Sequence, residues 1–271
     1  MILAFAGIHL SLFFSKNKSK IILRYFIELA YNGKAYHGWQ NQPNAISVQE
    51  VLEKTLSILL RDPISIIAAG RTDAGVHASQ MFAHFDVEEE FIKEQLVFKL
   101  NSFLPSDISI KTIFEVQDEA HARFDALSRQ YLYRVSLSKN VFNNHLSYLV
   151  TNTLDIDKMN EACKILFDYK NFQCFSKSKT DVKTYNCDII QAEWKLEMDE
   201  LHFTIKADRF LRNMVRAIVG TMIEIGSGKL QVADLHTIIQ SKNRSEAGFS
   251  VPAKGLFLTH IQYPKSIKQK N

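Results

Sequence analysis

Alternating apolar and polar residues mark the strands of this chain, and apolar residues three or four positions apart mark its helices. Ser47-Val48-Gln49-Glu50 has the pattern of a capping box, and apolar residues follow it at helical spacing. The patterns predict strands at 24–32, 64–69, 80–87 and 107–116, and helices at 48–61 and 91–103. This order, β-α-β-β-α-β, is the ferredoxin-like arrangement.

The second half of the chain repeats this alternation less clearly. A strand runs through Tyr131 and Tyr133, which share one of its faces. The pattern then predicts a helix at 155–168, strands at 184–197 and 201–207, and a helix at 210–221 capped by Asp208. The boundary between the two halves falls near residue 120, and a lysine-rich tail over 265–271 is expected to fray.

Composition places the chain among ordinary globular proteins. It has 271 residues, 46% of them hydrophobic and 23% charged, which is enough for two subdomains with real cores. The net charge of +4 is compatible with a polyanionic partner without identifying one. Three cysteines without a C-x-x-C motif and nine scattered histidines predict neither a disulfide framework nor a metal site.

The first 22 residues do not resemble the rest of the chain. An apolar run over 1–14 precedes a basic cluster over 15–20. The run is too short for a membrane-spanning helix, and its order is the reverse of a secretory signal. We interpret residues 1–22 as an extension outside the fold or as the product of a misplaced start upstream of Leu23, and no membrane association is expected.

The candidate chemistry lies between two predicted strands, in the loop Ala68–Ala78. Arg71, Asp73 and His77 occur there between glycines that allow close backbone approach to a ligand. Asp73 is the group that can act as nucleophile or base, and Arg71 can pair with it and favour the carboxylate. The alternative is a turn aspartate that binds its own backbone, with Arg71 as a surface partner.

The loop sequence Gly70-Arg71-Thr72-Asp73-Ala74-Gly75-Val76-His77-Ala78 resembles the signature of the tRNA pseudouridine synthase A family. In that family the aspartate of this motif is the essential catalytic residue. The resemblance therefore implies a catalytic role for Asp73, with Arg71 either pairing with it or filling the gap left by a flipped base.

Two further motifs support the resemblance. Arg129-Gln130-Tyr131-Leu132-Tyr133 is similar to the family's Arg-x-Tyr-x-Tyr pattern, which implies that Tyr131 contacts the target uracil and removes its C5 proton. From spacing alone, these tyrosines are half-buried residues of an ordinary strand. The segment Phe210–Arg216 resembles the family's F-L-x-N-M-V-R motif, which implies that Arg216 supports the aspartate and leaves the role of Arg212 open.

Several other residues are candidate substrate contacts. Gly255-Leu256 resembles the final family motif, which places Leu256 against the target base. Trp39 either stacks on RNA or anchors the core, and His77 is a substrate-side residue that also suits bonding to the loop backbone. Lys177 and Lys179 are candidate phosphate contacts or solvated surface residues.

The resemblance covers about residues 23–264 and implies an α+β fold of two ferredoxin-like halves, 23–120 and 121–264, whose antiparallel sheets join around a central active-site cleft. It implies isomerisation of uridine to pseudouridine at positions 38–40 of the tRNA anticodon arm. Both attack at ribose C1′ and elimination to a glycal remain open. No cofactor is expected, and the family works as a cytoplasmic homodimer with one tRNA spanning both subunits.

Two other classes of protein are consistent with parts of the sequence. A non-catalytic RNA-binding protein would use the aromatic side chains of the sheet, and its function would survive replacement of Asp73 by asparagine. A hydrolase would use Asp73 and His77 as acid and base. The sequence near the loop offers no second carboxylate or metal ligand for that chemistry.

Overall fold

The computed structural model describes residues 22–178 and 182–268 as nine strands and five α-helices with short 3₁₀ turns. The strands are β1 Leu23–Tyr31, β2 Ile67–Ala68, β3 His77–Val87, β4 Ile108–Glu115, β5 Ser128–Ser136, β6 Tyr148–Leu149, β7 Ile189–Glu197, β8 Glu200–Ala207 and β9 Leu256–Gln262. The helices are α1 Val48–Leu60, α2 Lys93–Phe103, α3 Ile156–Ile165, α4 Met214–Gly226 and α5 Asp234–Ser241. The protein is therefore an α+β protein, as predicted.

All nine strands belong to one sheet, in the order β4-β1-β3-β9-β5-β8-β7, with β2 beside β3 and β6 beside β5. The pairing is antiparallel except for β3 with β9 and β5 with β6. The last strand thus lies in the middle of the sheet. There His77 pairs with Phe257 and Ala78 with Leu258, while the other edge of β9 pairs with β5.

Two clusters of buried side chains form the core, one for each half of the sheet. The first packs α1 and α2 against β1, β3 and β4, and includes Phe26, Leu52 and Leu100, which are fully buried. The second packs α3, α4 and α5 against β5, β7 and β8. The ring of Tyr131 packs against both clusters, so it lies at the boundary between them.

Most predicted elements occur near their predicted positions, and the capping prediction for α1 is confirmed. Ser47 is the N-cap, and its hydroxyl accepts the Glu50 N–H at 3.1 Å. The predicted strand at 64–69 is shorter than expected and pairs only over β2. Strand β7 begins at Ile189, five residues later than residue 184, where the pattern predicted its start.

The predicted start of the helix that carries Arg216 is wrong. Helix α4 begins at Met214 because Asn213, immediately before it, has a left-handed backbone with φ 68° that ends the preceding turn. Asp208 does not cap it. Its carboxylate accepts the backbone N–H groups of Arg209 and Asp188 instead.

The chain after β9 also differs from its prediction. Lys265–Ile267 form a 3₁₀ turn, and Lys268 pairs with Val116, so this segment is attached to the first half rather than frayed. Residues 1–21, residues 269–271 and Lys179 lie outside the described residues. Within the described ranges, every helix is too short or too polar to cross a membrane.

Candidate active site

The loop that carries Asp73 connects β2 to β3. Hydrogen bonds from the end of β1 and from the segment that follows β1 hold it in place. The Trp39 N–H donates to the Thr72 carbonyl at 3.2 Å, and the Tyr31 hydroxyl bonds to Thr72 Oγ1 at 2.8 Å. Thr72 is therefore buried by its neighbours, while Asp73 beside it remains partly exposed. The bonds on both sides of Thr72 fix where the carboxylate can lie.

The backbone of Gly38 approaches the loop too closely for any other residue. Its φ is +92°, and a Cβ atom at this position would lie 2.5 Å from the Thr72 carbonyl oxygen. A side chain here would push the Asp73 loop away and would also strain the backbone. The glycine is thus required by the position of the loop.

Two arginines from the second half of the chain pair with the Asp73 carboxylate. Nη1 of Arg216 lies 3.4 Å from Oδ2, and Nε of Arg212 lies 3.6 Å from Oδ1. Arg216 is itself fixed, because its Nε donates to the Val251 carbonyl at 2.7 Å. Its side chain is 20% exposed, whereas that of Arg212 is 60% exposed. Arg216 is the rigid partner of Asp73 and Arg212 the solvated one.

The predicted pairing of Arg71 with Asp73 is not part of this arrangement. Among the described residues, the ion pairs of Asp73 are with Arg212 and Arg216. Arg71 is exposed. The carboxylate turns toward the start of α4, where two guanidinium groups are available, and this direction leaves Arg71 on the solvent side. A role for Arg71 in filling the space of a flipped base stays a prediction.

Tyr131 lies on β5, with its ring edge-on to that of Phe210 at a centroid distance of 5.2 Å. Burial raises the pKa of its phenol to about 12, the positive charge of Arg129 opposes this shift, and the negative charge of Asp73 adds to it. The phenol is thus neutral near pH 7 and close enough to Asp73 to sense its charge. The structure thus places Tyr131 within electrostatic reach of Asp73, and its contact with the target uracil stays a prediction.

Leu256 begins β9 opposite Tyr133 of β5 and is buried among the side chains of the second cluster. The Tyr133 hydroxyl donates to the Pro252 carbonyl at 2.8 Å, which fixes the turn before Leu256. A Cβ atom added to Gly75, in the Asp73 loop, would lie 3.5 Å from the Cβ atom of Ala253. The turn before Leu256 thus lies against the Asp73 loop, and contact of Leu256 with a base stays a prediction.

His77 and Trp39 are buried more deeply than is usual for side chains that contact a substrate. Each is 2% exposed. His77 Nδ1 accepts the Gly33 N–H at 3.0 Å, which makes Nε2 the protonated nitrogen, and Nε2 lies 3.2 Å from the Lys254 carbonyl that it bonds. Burial lowers the pKa of this imidazole. Both residues hold the loop from inside the protein, and contact of either with a substrate stays a prediction that this burial does not favour.

The sequence-based interpretation missed the pairing of Arg212 with Asp73 and the contact of Phe210 with Tyr131. The signal for Arg212 was its spacing of four residues from Arg216, but the residue lies in the turn before α4 rather than on the helix. For Phe210 the sequence carried no signal beyond its position in the motif. Lys177, predicted as a phosphate contact, lies beside this turn, because its N–H donates to the Arg212 carbonyl at 3.0 Å.

The site thus consists of one partly exposed carboxylate, two guanidinium groups and a neutral phenol at the junction of the two core clusters. No group of three or more potential metal ligands occurs within residues 22–178 and 182–268. A carboxylate on a rigid loop suits nucleophilic or base catalysis, and the exposed Arg212 suits an anionic substrate. The arrangement is that of an enzyme that acts through a single carboxylate.

Comparison with known proteins shows which kind of enzyme this is. The sequence profile of the tRNA pseudouridine synthase family matches residues 29–125 and 162–264, and the chain belongs to this family. It is 54% identical over 247 residues to tRNA pseudouridine synthase A of Parabacteroides distasonis, with 90% of this chain and 97% of the relative covered. It is also 54% identical to tRNA pseudouridine synthase A of Bacteroides fragilis, over 91% of this chain and 98% of the relative. The protein is an isomerase that converts uridine to pseudouridine in tRNA.

Proposed function

We propose that Asp73 is the nucleophile of this isomerase and that its targets are uridines at positions 38–40 of the tRNA anticodon arm. The observation that carries the proposal is the pairing of Asp73 with Arg216 across the junction of the two core clusters. It holds a carboxylate in one orientation while 27% of the side chain remains exposed to an incoming nucleotide. A base within a stem or loop must be extruded into such a site before it can react.

The reaction can be written with every bond accounted for. An Asp73 carboxylate oxygen bonds to ribose C1′ as the bond from C1′ to uracil N1 breaks, which leaves uracil as an anion. The uracil rotates, its C5 bonds to C1′ and the ester to Asp73 breaks. C5 then loses its proton, N1 gains one, and no cofactor is consumed. In the glycal route Asp73 instead removes the C2′ proton as the bond from C1′ to N1 breaks, and it returns this proton to C2′ when C5 bonds to C1′.

The neighbouring charges suit these steps. Arg212 and Arg216 orient the carboxylate in the resting site and can stabilise the uracil anion when Asp73 becomes an ester, since preorganised cations act most strongly on charge that develops during reaction. With a pKa of about 12, Tyr131 is a neutral phenol. Its ring can pack on the base without ionising, whereas its predicted role as the acceptor of the C5 proton requires prior loss of its own proton.

We infer that each half of the chain is a ferredoxin-like unit and that the cleft between them admits the nucleotide. The first half has the strand order β4-β1-β3 with β2 beside β3, and the second has β9-β5-β8-β7. Numbered within each half, and with the two-residue β6 left out, both orders read 4-1-3-2 around two helical crossovers. The inferred units correspond to residues 23–120 and 121–264, with the Asp73 loop where they meet.

We also propose that the protein acts as a homodimer in the cytoplasm, with one tRNA contacting both subunits. Positive net charge supports binding of the polyanion, and a dimer doubles that charge. The buried thiols of Cys163, Cys174 and Cys187 are free, as is usual in a reducing compartment. Light scattering of the protein alone and with tRNA tests the stoichiometry, and a monomer bound to one tRNA would contradict it.

The test of the catalytic proposal is the release of tritium from tRNA labelled at uridine C5, with the wild type compared to Asp73→Asn. We expect release by the wild type and none by the variant, with tRNA affinity retained because the asparagine has the same shape. Substituting each of U38, U39 and U40 in the transcript assigns the positions. Release by Asp73→Asn at the wild-type rate would refute Asp73 as nucleophile.

A further inference from the structure

A single half-buried guanidinium group joins the three segments that build the site. Arg129 is the first residue of the Arg-x-Tyr-x-Tyr motif and lies on β5, two residues before Tyr131. Its Nη1 donates to the carbonyls of Ala126 and Asp208, both at 2.9 Å. Its Nη2 donates to the carbonyls of Ala69, at 3.0 Å, and Arg123. All four N–H bonds of the two terminal nitrogens are used.

These four carbonyls belong to three different parts of the site. Ala69 begins the loop that carries Asp73, Arg123 and Ala126 lie in the connection between the two halves, and Asp208 begins the turn that leads to α4. That turn carries Phe210, which contacts Tyr131, and Arg212, which pairs with Asp73. The guanidinium group therefore fixes the loop and its partners from one point.

The hydrogen bonds of Arg129 go to neutral groups. Within the described residues its hydrogen-bond acceptors are backbone carbonyls alone. Burial lowers the pKa of its guanidinium, and the charges of the surrounding groups only partly oppose this. Taking a cation partly out of water without an anionic partner costs free energy, which the four carbonyl hydrogen bonds offset.

We propose that Arg129 is a positioning residue, which aligns the Asp73 loop with the turn carrying Phe210 and Arg212. The proposal rests on the proposed role of Asp73. The four hydrogen bonds of Arg129 require a planar group with donors on two terminal nitrogens. Lysine lacks such a group, because its three donors share one nitrogen. Displacement of a reacting group by about 1 Å can cost about 100-fold in rate. Loss of Arg129 thus lowers the rate of reaction more than it weakens tRNA binding.

The experiment compares Arg129→Met and Arg129→Lys with the wild type in single-turnover tritium release and in equilibrium binding of the same tRNA. We expect the rate at saturating enzyme to fall about 100-fold in Arg129→Met and nearly as much in Arg129→Lys. The dissociation constant should change by less than about threefold, since the terminal nitrogens of the group already donate to four backbone carbonyls. Arg24→Met is the matched control, because Arg24 on β1 also bonds a carbonyl, that of Ala120, but pairs with Asp86 on β3.

Chemical rescue separates positioning from a general loss of folding. Guanidinium chloride far below its denaturing range should restore part of the rate of Arg129→Met, while sodium chloride at equal ionic strength should not. Three results would overturn the proposal: a rate within about threefold of wild type, equal losses of rate and affinity, or no rescue in a variant that is folded by circular dichroism. If Arg129→Met does not fold, the rate of Arg129→Lys decides the question. Activity of Asp73→Asn would refute the proposed nucleophile without bearing on these comparisons.

Discussion

Nη1 of Arg216 lies 3.4 Å from Oδ2 of Asp73, although 143 positions separate the two residues in the chain. One residue belongs to the loop before β3 and the other to the first turn of α4. Neither half of the chain contains both members of the pair. The reactive carboxylate is therefore oriented only when both halves are folded and docked.

The two arginines that pair with Asp73 should differ in their effect on the reaction. Arg216→Met removes a fixed, mostly buried cation, and we expect the single-turnover rate to fall about 100- to 1,000-fold. Arg212→Met removes a cation that is 60% exposed and screened by solvent, and about tenfold is expected. Tritium release at saturating enzyme measures both. Equal losses would show that the exposed arginine is as important as the buried one.

Gly38→Ala should destabilise the protein and disturb the catalytic loop together. The new Cβ atom would lie 2.5 Å from the Thr72 carbonyl, so we expect a loss of at least about 3 kcal/mol in the free energy of unfolding. The matched control is Gly228→Ala, at φ +78° with open space around it, which should cost about 1 kcal/mol. Urea denaturation measures both. A loss in Gly38→Ala no larger than in Gly228→Ala would mean that the loop yields to the methyl group.

Substitutions of Tyr131 should separate its ring from its hydroxyl. Because the phenol has a pKa of about 12 and is neutral near pH 7, Tyr131→Phe should retain the rate within about tenfold. Tyr131→Leu removes the ring that contacts Phe210 and should lose more. Single-turnover rates from pH 6 to pH 9 test this. If Tyr131→Phe were as inactive as Asp73→Asn, the hydroxyl would have a direct part in proton transfer.

His84 should make the protein less stable in mild acid. It is buried, its Nδ1 accepts the Ala122 N–H at 3.1 Å, and burial followed by the charges of Arg24 and His121 lowers its pKa to about 4. His84 binds a proton near pH 6.5 in the unfolded chain, whereas in the folded protein it stays neutral at that pH. Stability is complete above that pH, and the free energy of unfolding should fall by up to about 3 kcal/mol between pH 6.5 and pH 4.

The variant His84→Asn tests this assignment, because an asparagine oxygen can accept the same N–H without titrating. Its free energy of unfolding, measured in urea at several pH values, should depend less on pH in this range than that of the wild type. His260→Asn removes an exposed histidine and should leave the pH dependence unchanged. A wild-type slope in His84→Asn would assign the effect to another group.

The sequence predicted those features that depend on neighbouring residues. Apolar spacing located α1 to within one residue, and the N-cap at Ser47 followed from its local pattern. The start of α4 was missed because the left-handed conformation of Asn213 is set by tertiary contacts, including the bond from its side chain to Ser250. Capping signals such as Asp208 are satisfied by other N–H groups when the chain folds back.

In the candidate site, too, local features were predictable from local patterns in the sequence and tertiary contacts were not. The loop and its aspartate were evident from the motif, and the resemblance gave Arg216 as a support of Asp73, while local spacing suggested Arg71 as its partner. Among the described residues the structure pairs Asp73 with Arg216 and also with Arg212. Which cation reaches a carboxylate depends on the docking of the two halves, and local spacing carries no information about that docking.

The central place of β9 has a consequence for synthesis of the protein on the ribosome. Strands β1, β3 and β4 can pair as soon as they emerge, and so can β5, β7 and β8, but residues 256–262 must be made before these two groups share one sheet. Until then the residues of β3 and β5 that pair with β9 have no strand beside them, and Asp73 and Arg216 lie in separately folding units. A growing chain therefore has no oriented carboxylate, and the capacity to modify tRNA is acquired only in the last step of assembly.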